Sequence, residues 1–340
     1  MKAVVVQSPG EVVVKDVPDP VVGDYDVLCE TLAASVCGAT DFHIVHNDPY
    51  HNVRYPVILG HEGIGKVIER GKKVKNFKKG DVITRIINRL PRDSGYEMQW
   101  GAFAEKSIAT DWQAMRDDGL DASLWHASTI HRVLPAGFDP IESTMIITWR
   151  ETFSFLKRIE PKAGQVVLII GSGATAFAFA DHARNLGLIP VVVGSPGRKE
   201  LFSKANTKLY ISYQDTDYVR AIASELNSGA DIIIDAVGKS KTLNHVLPLL
   251  KKSGRIGVYG LDEYLDYKID IAQVQGDFNY YDGRTYDEGS AHDAIIHFIK
   301  NKRLNAWDYL DKNHVYPLEK IEDALAAGKT RKVLKSVIRF

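Results

Sequence analysis

Val166-Val167-Leu168-Ile169-Ile170 runs without a break into Gly171-Ser172-Gly173-Ala174-Thr175-Ala176. Five consecutive apolar residues predict a strand buried on both faces, the situation of a parallel sheet. The six that follow read G-x-G-x-x-A. Gly171 permits a tight turn out of the strand, Gly173 lets the backbone approach a pyrophosphate, and Ala176 is small enough for close helix–strand packing. The next segment, Ala174–Leu186, has helix-forming composition and ends near Gly187. Its first N–H groups have no partner within the helix and suit a phosphate. Strand, glycine turn and helix together predict a dinucleotide-binding unit held by Gly171, Ser172, Gly173, Ala174, Thr175 and Ala176.

Reading toward the C-terminus, buried strands are expected at Pro190–Val193, Asp231–Asp235 and Arg255–Tyr259, with helices at Asp217–Leu226 and Thr242–Leu250. This alternation predicts an α/β fold, a doubly wound parallel sheet covered on both faces, over residues 151–290. The second strand runs into Val193-Gly194-Ser195-Pro196-Gly197-Arg198-Lys199. A site for NAD places a carboxylate there to bond the ribose 2′-hydroxyl. Here that carboxylate is missing. Ser195 stands there, and Arg198 and Lys199 either attract a 2′-phosphate or solvate a helix start; NADP is expected over NAD.

The first 150 residues read differently. Lys2–Gln7 and Val12–Lys15 are short β-branched runs separated by Pro9-Gly10, and Asp16–Asp24 is a loop. Further strands are expected at Val27–Ala33, Gly65–Glu69 and Asp81–Ile87, which together suggest a barrel-like β region. The last fifty residues hold two amphipathic helices, Ala291–Lys300 and Leu318–Ala327. A final strand, Lys332–Phe340, is expected to return to the first region.

Composition narrows the class. The chain has 340 residues, with 43 Lys plus Arg against 43 Asp plus Glu. That balance speaks against nucleic-acid binding, and the short basic run Arg70–Lys79 reads as a solvated turn. No stretch approaches the roughly 20 apolar residues of a membrane span. The N-terminus lacks the layout of a signal peptide, so a cytoplasmic location is expected. The cysteines are Cys29 and Cys37, too few for a disulfide framework or a four-cysteine zinc lobe. Cys29 alternates within a strand and is expected in the core.

Cys37 is followed by Gly38-Ala39-Thr40-Asp41-Phe42-His43, and later by Gly60-His61-Glu62-Gly63. A catalytic zinc wants three protein ligands and an open position, and Cys37, His61 and Glu62 can supply the three. If the segment after Cys37 is helical, Thr40 and His43 lie one turn apart and could pass a proton from substrate to solvent. Equally, a buried cysteine is often a small core residue, and His-Glu pairs are common.

These motifs, with Val74-Lys75-Asn76-Phe77-Lys78-Lys79-Gly80-Asp81-Val82, Gly101-Ala102-Phe103-Ala104-Glu105 and Ile234-Asp235-Ala236-Val237-Gly238, resemble the medium-chain dehydrogenase/reductase superfamily, zinc alcohol dehydrogenase type. The resemblance spans essentially the whole chain. It implies a GroES-like catalytic domain, residues 1–150 completed by 291–340, around a Rossmann domain of residues 151–290. It implies zinc on Cys37 and His61, with Glu62 a ligand as in the polyol dehydrogenases or a neighbour as in other members. It also implies a proton relay through Thr40 and His43, and nucleotide contacts that include Val237. The expected activity is NADP(H)-linked interconversion of an alcohol, preferably a polyol or sugar hydroxyl, and its carbonyl. Alternatives are a zinc-free enal or quinone reductase of the same fold and a non-catalytic NADP-binding protein. A homodimer or homotetramer is expected.

Three departures from the family pattern bear on the site. One extra residue separates Cys37 from Thr40, so either the loop bulges or Ala39 takes the hydroxyl's place. The segment from Asp81 to Gly101 has no cysteine, which excludes the structural zinc lobe. Ile146 or Ile147 occupies the place of a further zinc ligand, for which Glu151 or, more weakly, Glu142 could substitute. Trp100 and Trp149 flank the expected site. His46, His51, His126 and His131 carry no motif and are expected at the surface or satisfied in the core.

Overall fold

A computed structural model describes residues 1–330 and 333–340. The apolar run Val166–Ile170 is a strand with the bounds the sequence predicts, and it sits inside a six-stranded sheet. The strand order across that sheet is Leu209–Ser212, Ile189–Gly194, Val166–Ile170, Ala230–Asp235, Leu250–Val258 and Phe278–Asp282, all parallel. In chain order this is 3-2-1-4-5-6, the Rossmann arrangement, and its topological switch lies at Val166–Ile170. Leu168, Ile170, Val191 and Val193 are fully or almost fully buried against Ile222, Leu243 and Leu247 from the covering helices.

Several elements depart from expectation. The helix expected over Thr242–Leu250 spans Ser240–Val246 and tightens into a 3-10 turn at Leu247–Leu249. Pro248 cannot donate a helical hydrogen bond, which ends the helix early. Leu250 then opens the next strand, opposite Ala230, so that strand begins five residues before the expected Arg255. The outer strand Phe278–Asp282 carries no clear sequence signal. It is reached through 3-10 turns at Tyr264–Asp266 and Ile271–Gln273.

The chain forms two compact units: Met1–Thr148 with Glu288–Ile296 and Asn305–Phe340, and Trp149–Asp287 with His297–Leu304. The first unit is built on two sheets. A four-stranded sheet runs Glu11–Asp16, Lys2–Ser8, Val57–Ile58 and Glu97–Met98. A seven-stranded sheet runs Leu310–Pro317, Lys335–Arg339, Asp26–Ser35, Gly63–Arg70, Val82–Thr84 and Arg132–Val133, with Lys106–Thr110 also paired to Asp26–Ser35. The strand expected over Asp81–Ile87 stops at Thr84, because Arg85 takes φ +61 and leaves the extended region. The C-terminal strand returns to the first region as expected. Val337 pairs with Ser35 and Ile338 with Ala34, while Ala34 pairs on its other side with Gly63. Lys332, where that strand was expected to start, lies outside the described residues. Among the described residues no helix is long and apolar enough to cross a membrane.

The second unit buries a titratable group with a consequence for stability. His182, on the fingerprint helix Ala174–Asn185, is fully buried. Its Nε2 lies 3.0 Å from Thr152 Oγ1 and 3.1 Å from the Trp149 carbonyl. Burial pushes its pKa from 6.5 down to about 3. A depressed histidine adds stability that is complete above 6.5 and is lost as the pH falls toward the folded value. At pH 5 the loss is roughly 2 kcal/mol. Urea denaturation at pH 7.5 and pH 5 should show that loss, and His182→Gln should flatten the difference.

Candidate active site

Cys37 lies just past the strand Asp26–Ser35, where Val36 N–H donates to the Ser336 carbonyl at 2.9 Å. The chain turns at Gly38-Ala39 and enters the short helix Thr40–Val45. Asp41 on that helix is fully buried. Its Oδ2 accepts the Cys37 N–H at 2.8 Å, and its Oδ1 lies 3.6 Å from His61 Nδ1. Asp41 is thus hydrogen-bonded to the Cys37 side of the site and faces His61 across a gap longer than a hydrogen bond.

His61 and Glu62 are set by Gly60, which sits at φ +96. A Cβ there would come within 2.4 Å of the Phe103 ring and 2.6 Å of its backbone nitrogen, so only glycine fits. Both residues are buried. The ring of His61 turns Nδ1 to Asp41, and its Nε2 lies 3.8 Å from Glu62 Oε1. The potential donor atoms of Cys37, His61 and Glu62 all lie within 4.8 Å of one another, the one such group of three or more among the described residues. Zinc bonds to these donor types are about 2.0–2.3 Å long, so the set would close on one ion by small shifts once Glu62 turns an oxygen away from Lys335. A carboxylate behind the far ring nitrogen of a ligating histidine fixes its tautomer and orientation.

Glu62 has close neighbours of its own. Lys335 Nζ donates to both carboxylate oxygens, Ser35 Oγ to Oε2, and Thr148 Oγ1 to Oε1 at 3.2 Å. Burial works to raise the Glu62 carboxyl, but Lys335 and His61 outweigh it and hold it below its ordinary range. Burial likewise works to raise the Cys37 thiol, and His61 with Lys335 brings it below its ordinary value. The His61 ring is held well above its own: burial opposes its charge, and Asp41 and Cys37 prevail. This pocket therefore favours a thiolate.

The glycine turn has its own geometry. Gly171 takes φ +125, and a Cβ there would press on Val237 Cγ2 at 3.2 Å and Ala176 Cβ at 3.3 Å. Gly173 is exposed with open space beside it, and no side chain caps the helix Ala174–Asn185 that it begins. Its first N–H groups are therefore open to an anion. Ser172 Oγ donates to Ser195 Oγ at 2.9 Å and accepts the Ser195 N–H at 3.0 Å. Arg198 precedes the helix Lys199–Ser203, and Lys199 is exposed. Val237 N–H is held by Asp235 Oδ1 at 2.8 Å.

Two family descriptions match the chain: "Alcohol dehydrogenase GroES-like domain" over residues 23–116 and "Zinc-binding dehydrogenase" over residues 170–275. An L-threonine 3-dehydrogenase of Streptomyces avermitilis is 30% identical over 277 residues, 76% of each chain. The chain belongs to the zinc-type alcohol and polyol dehydrogenases of the medium-chain dehydrogenase/reductase superfamily. The L-galactonate-5-dehydrogenase of Escherichia coli is 26% identical, matched over 100% of this chain and 99% of its own. The fold is that of alcohol dehydrogenase TADH from Thermus sp. ATN1, with a TM-score of 0.81 over 100% and 99% of the two chains at 21% identity. This medium-chain dehydrogenase is an oxidoreductase of the alcohol/carbonyl type that works with a pyridine nucleotide.

Other residues singled out in the sequence of this dehydrogenase fall as follows. Thr40 and His43 share the helix Thr40–Val45, both half-buried, with Ala39 as its N-cap. Ile146 and Ile147 are fully buried and offer no donor. Glu142, the weaker substitute, does not join the donor group. Glu142 accepts the Trp307 indole N–H at 2.7 Å, and Glu151 accepts from Tyr259 at 3.4 Å and Tyr286 at 3.2 Å. Trp100 packs its ring 5.2 Å from that of His61, whereas Trp149 is buried. Cys29 is buried in the core, which pushes its thiol up to about 12. His51, which carries no motif, lies 5.8 Å from His43, ring to ring.

Sequence reasoning passes over Lys335, Ser35 and Thr148, which surround Glu62. The one signal for Lys335 is a lysine entering the apolar pair Val337-Ile338, and that reads equally well as an exposed strand end.

Proposed function

We propose that this chain is a zinc-dependent, NADP(H)-linked dehydrogenase that interconverts an alcohol, preferably a polyol or sugar hydroxyl, and its carbonyl compound by hydride transfer. The observation that carries the reading is the Cys37–His61–Glu62 donor group with Asp41 behind the His61 ring. Bound there, zinc supplies Lewis acidity toward an alcohol or carbonyl oxygen. Asp41 faces the Nδ1 side of the His61 ring, and closing to a hydrogen bond there would hold the ring with Nε2 toward the donor group. Thr40 and His43, one helical turn apart, move the proton between the substrate oxygen and solvent. The turn Gly171–Ala176 receives the pyrophosphate and Val237 flanks that turn. Ser195, Arg198 and Lys199 receive the 2′-phosphate, for which no carboxylate competes at Gly194. A pyridine nucleotide held by these residues would supply the hydride chemistry of the reaction. The polyol preference is supported by the relative named for L-galactonate, a compound with several hydroxyls.

A second reading is a metal-free reductase of enals or quinones. It is favoured by the engagement of Glu62 with Lys335, Ser35 and Thr148, and by the apolar Ile146 and Ile147. Metal analysis separates the two. About one zinc per chain is expected, with initial rates that favour NADP over NAD on an alcohol panel. Zinc-free protein active on enals would support the second reading, and a strong preference for NAD would end the cofactor assignment.

A further inference from the structure

Gly194 ends the second strand of the Rossmann sheet, where a nucleotide site selective for NAD carries its carboxylate. The space a side chain would need there is filled. A Cβ on Gly194 would lie 2.3 Å from the Tyr210 hydroxyl, 2.8 Å from its Cζ and 2.9 Å from Ser172 Cβ. Tyr210 comes from the neighbouring strand Leu209–Ser212, opposite Val192, and is 8% exposed. Its ring packs on Phe202 at 5.2 Å between centroids, and its hydroxyl donates to the Ser195 carbonyl at 2.6 Å. The same Ser195 is held by Ser172 through its N–H and its Oγ. Ser172 is the middle residue of the glycine turn, so Ser172 and Tyr210 clamp Ser195 between the phosphate turn and the third strand of the sheet.

The tip of a side chain can often swing aside to admit a new methyl group. Tyr210 cannot do so without breaking its bond to Ser195. Nor can it move back, because Phe202 fills the core on that side.

We infer that Tyr210 is a positioning and specificity-determining residue for the nucleotide: it fixes Ser195 for a 2′-phosphate and, by occupying the volume at Gly194, bars the carboxylate that would recognise a free ribose. This inference rests on the NADP reading of the same site. It makes cofactor preference a property of the pair Gly194–Tyr210. An acidic residue at 194 is productive only once Tyr210 has been made smaller.

The test is titration of NADPH and NADH against wild type, Y210F, G194D, Y210V and G194D/Y210V, with thermal unfolding of each as a check on folding. Y210F keeps the ring and loses only the bond to Ser195. It should weaken NADPH by about fivefold, the worth of one hydrogen bond, and leave NADH unchanged. General damage would weaken both alike. G194D alone should lose affinity for both nucleotides, and G194D/Y210V should bind NADH more tightly than either single variant by about tenfold or more. Equal losses of both nucleotides in Y210F, or an additive double variant, overturn the inference. The wild-type ratio reads the cofactor assignment separately: no preference for NADPH would end that assignment, while the coupling between 194 and 210 would still be read from the variants.

Discussion

Cys37→Ala is expected to cut turnover by roughly a thousandfold or more while sparing nucleotide binding. A Lewis acid at a reacting oxygen contributes several kcal/mol, and each 1.36 kcal/mol is about tenfold in rate. Cys37 is the one thiol in the donor group, and a cysteine binds metal as its thiolate. The residues proposed to bind nucleotide belong to the other compact unit, so NADPH binding should persist. The measurement pairs metal content and turnover with NADPH fluorescence titration. Loss of zinc and of turnover at unchanged nucleotide affinity is the expected result. Full activity in the variant would end the zinc mechanism.

Lys335→Met should produce the largest loss of stability. Lys335 and Glu62 are 4% and 2% exposed at the side chain, and the ammonium donates to both carboxylate oxygens. In protein stripped of metal, removing one partner of this buried pair strands the other charge, at a cost of about 3–5 kcal/mol. Ser35 and Thr148 keep their hydrogen bonds to the carboxylate but cannot neutralise it. The double variant Lys335→Met with Glu62→Gln removes both charges and should recover most of the loss. Urea denaturation of the two variants reads this directly. If the single variant unfolds at the wild-type midpoint, the pair is not what stabilises this part of the fold.

The parts of the site legible in the sequence are those encoded locally. Val166–Ile170 reads as a buried strand because five apolar residues in a row have no amphipathic alternative. The glycine turn is legible because positive φ at Gly171 and the close contact of Ala176 each demand a small residue. Cys37, His61 and Glu62 are legible as donor types at family spacing. What they do with one another is less so. The insertion between Cys37 and Thr40 leaves two readings in the sequence. In the structure the Asp41 carboxylate accepts the Cys37 amide across the turn at Gly38-Ala39. Helix ends and strand ends shifted where one residue overrode the pattern, Pro248 in one case and Arg85 in the other.

The sequence by itself determined the Rossmann strand and turn, the β-rich first region, the missing carboxylate after the second strand and the lack of a structural zinc lobe. Each is a property of residue type and near spacing. Only the tertiary structure decided that Glu62 faces Lys335, 273 positions away in the chain, and that Tyr210 closes the space at Gly194. Both depend on strand pairing. A buried charge must be neutralised wherever the sheet delivers a partner, and a side chain can be barred only by whichever neighbouring strand lies beside it.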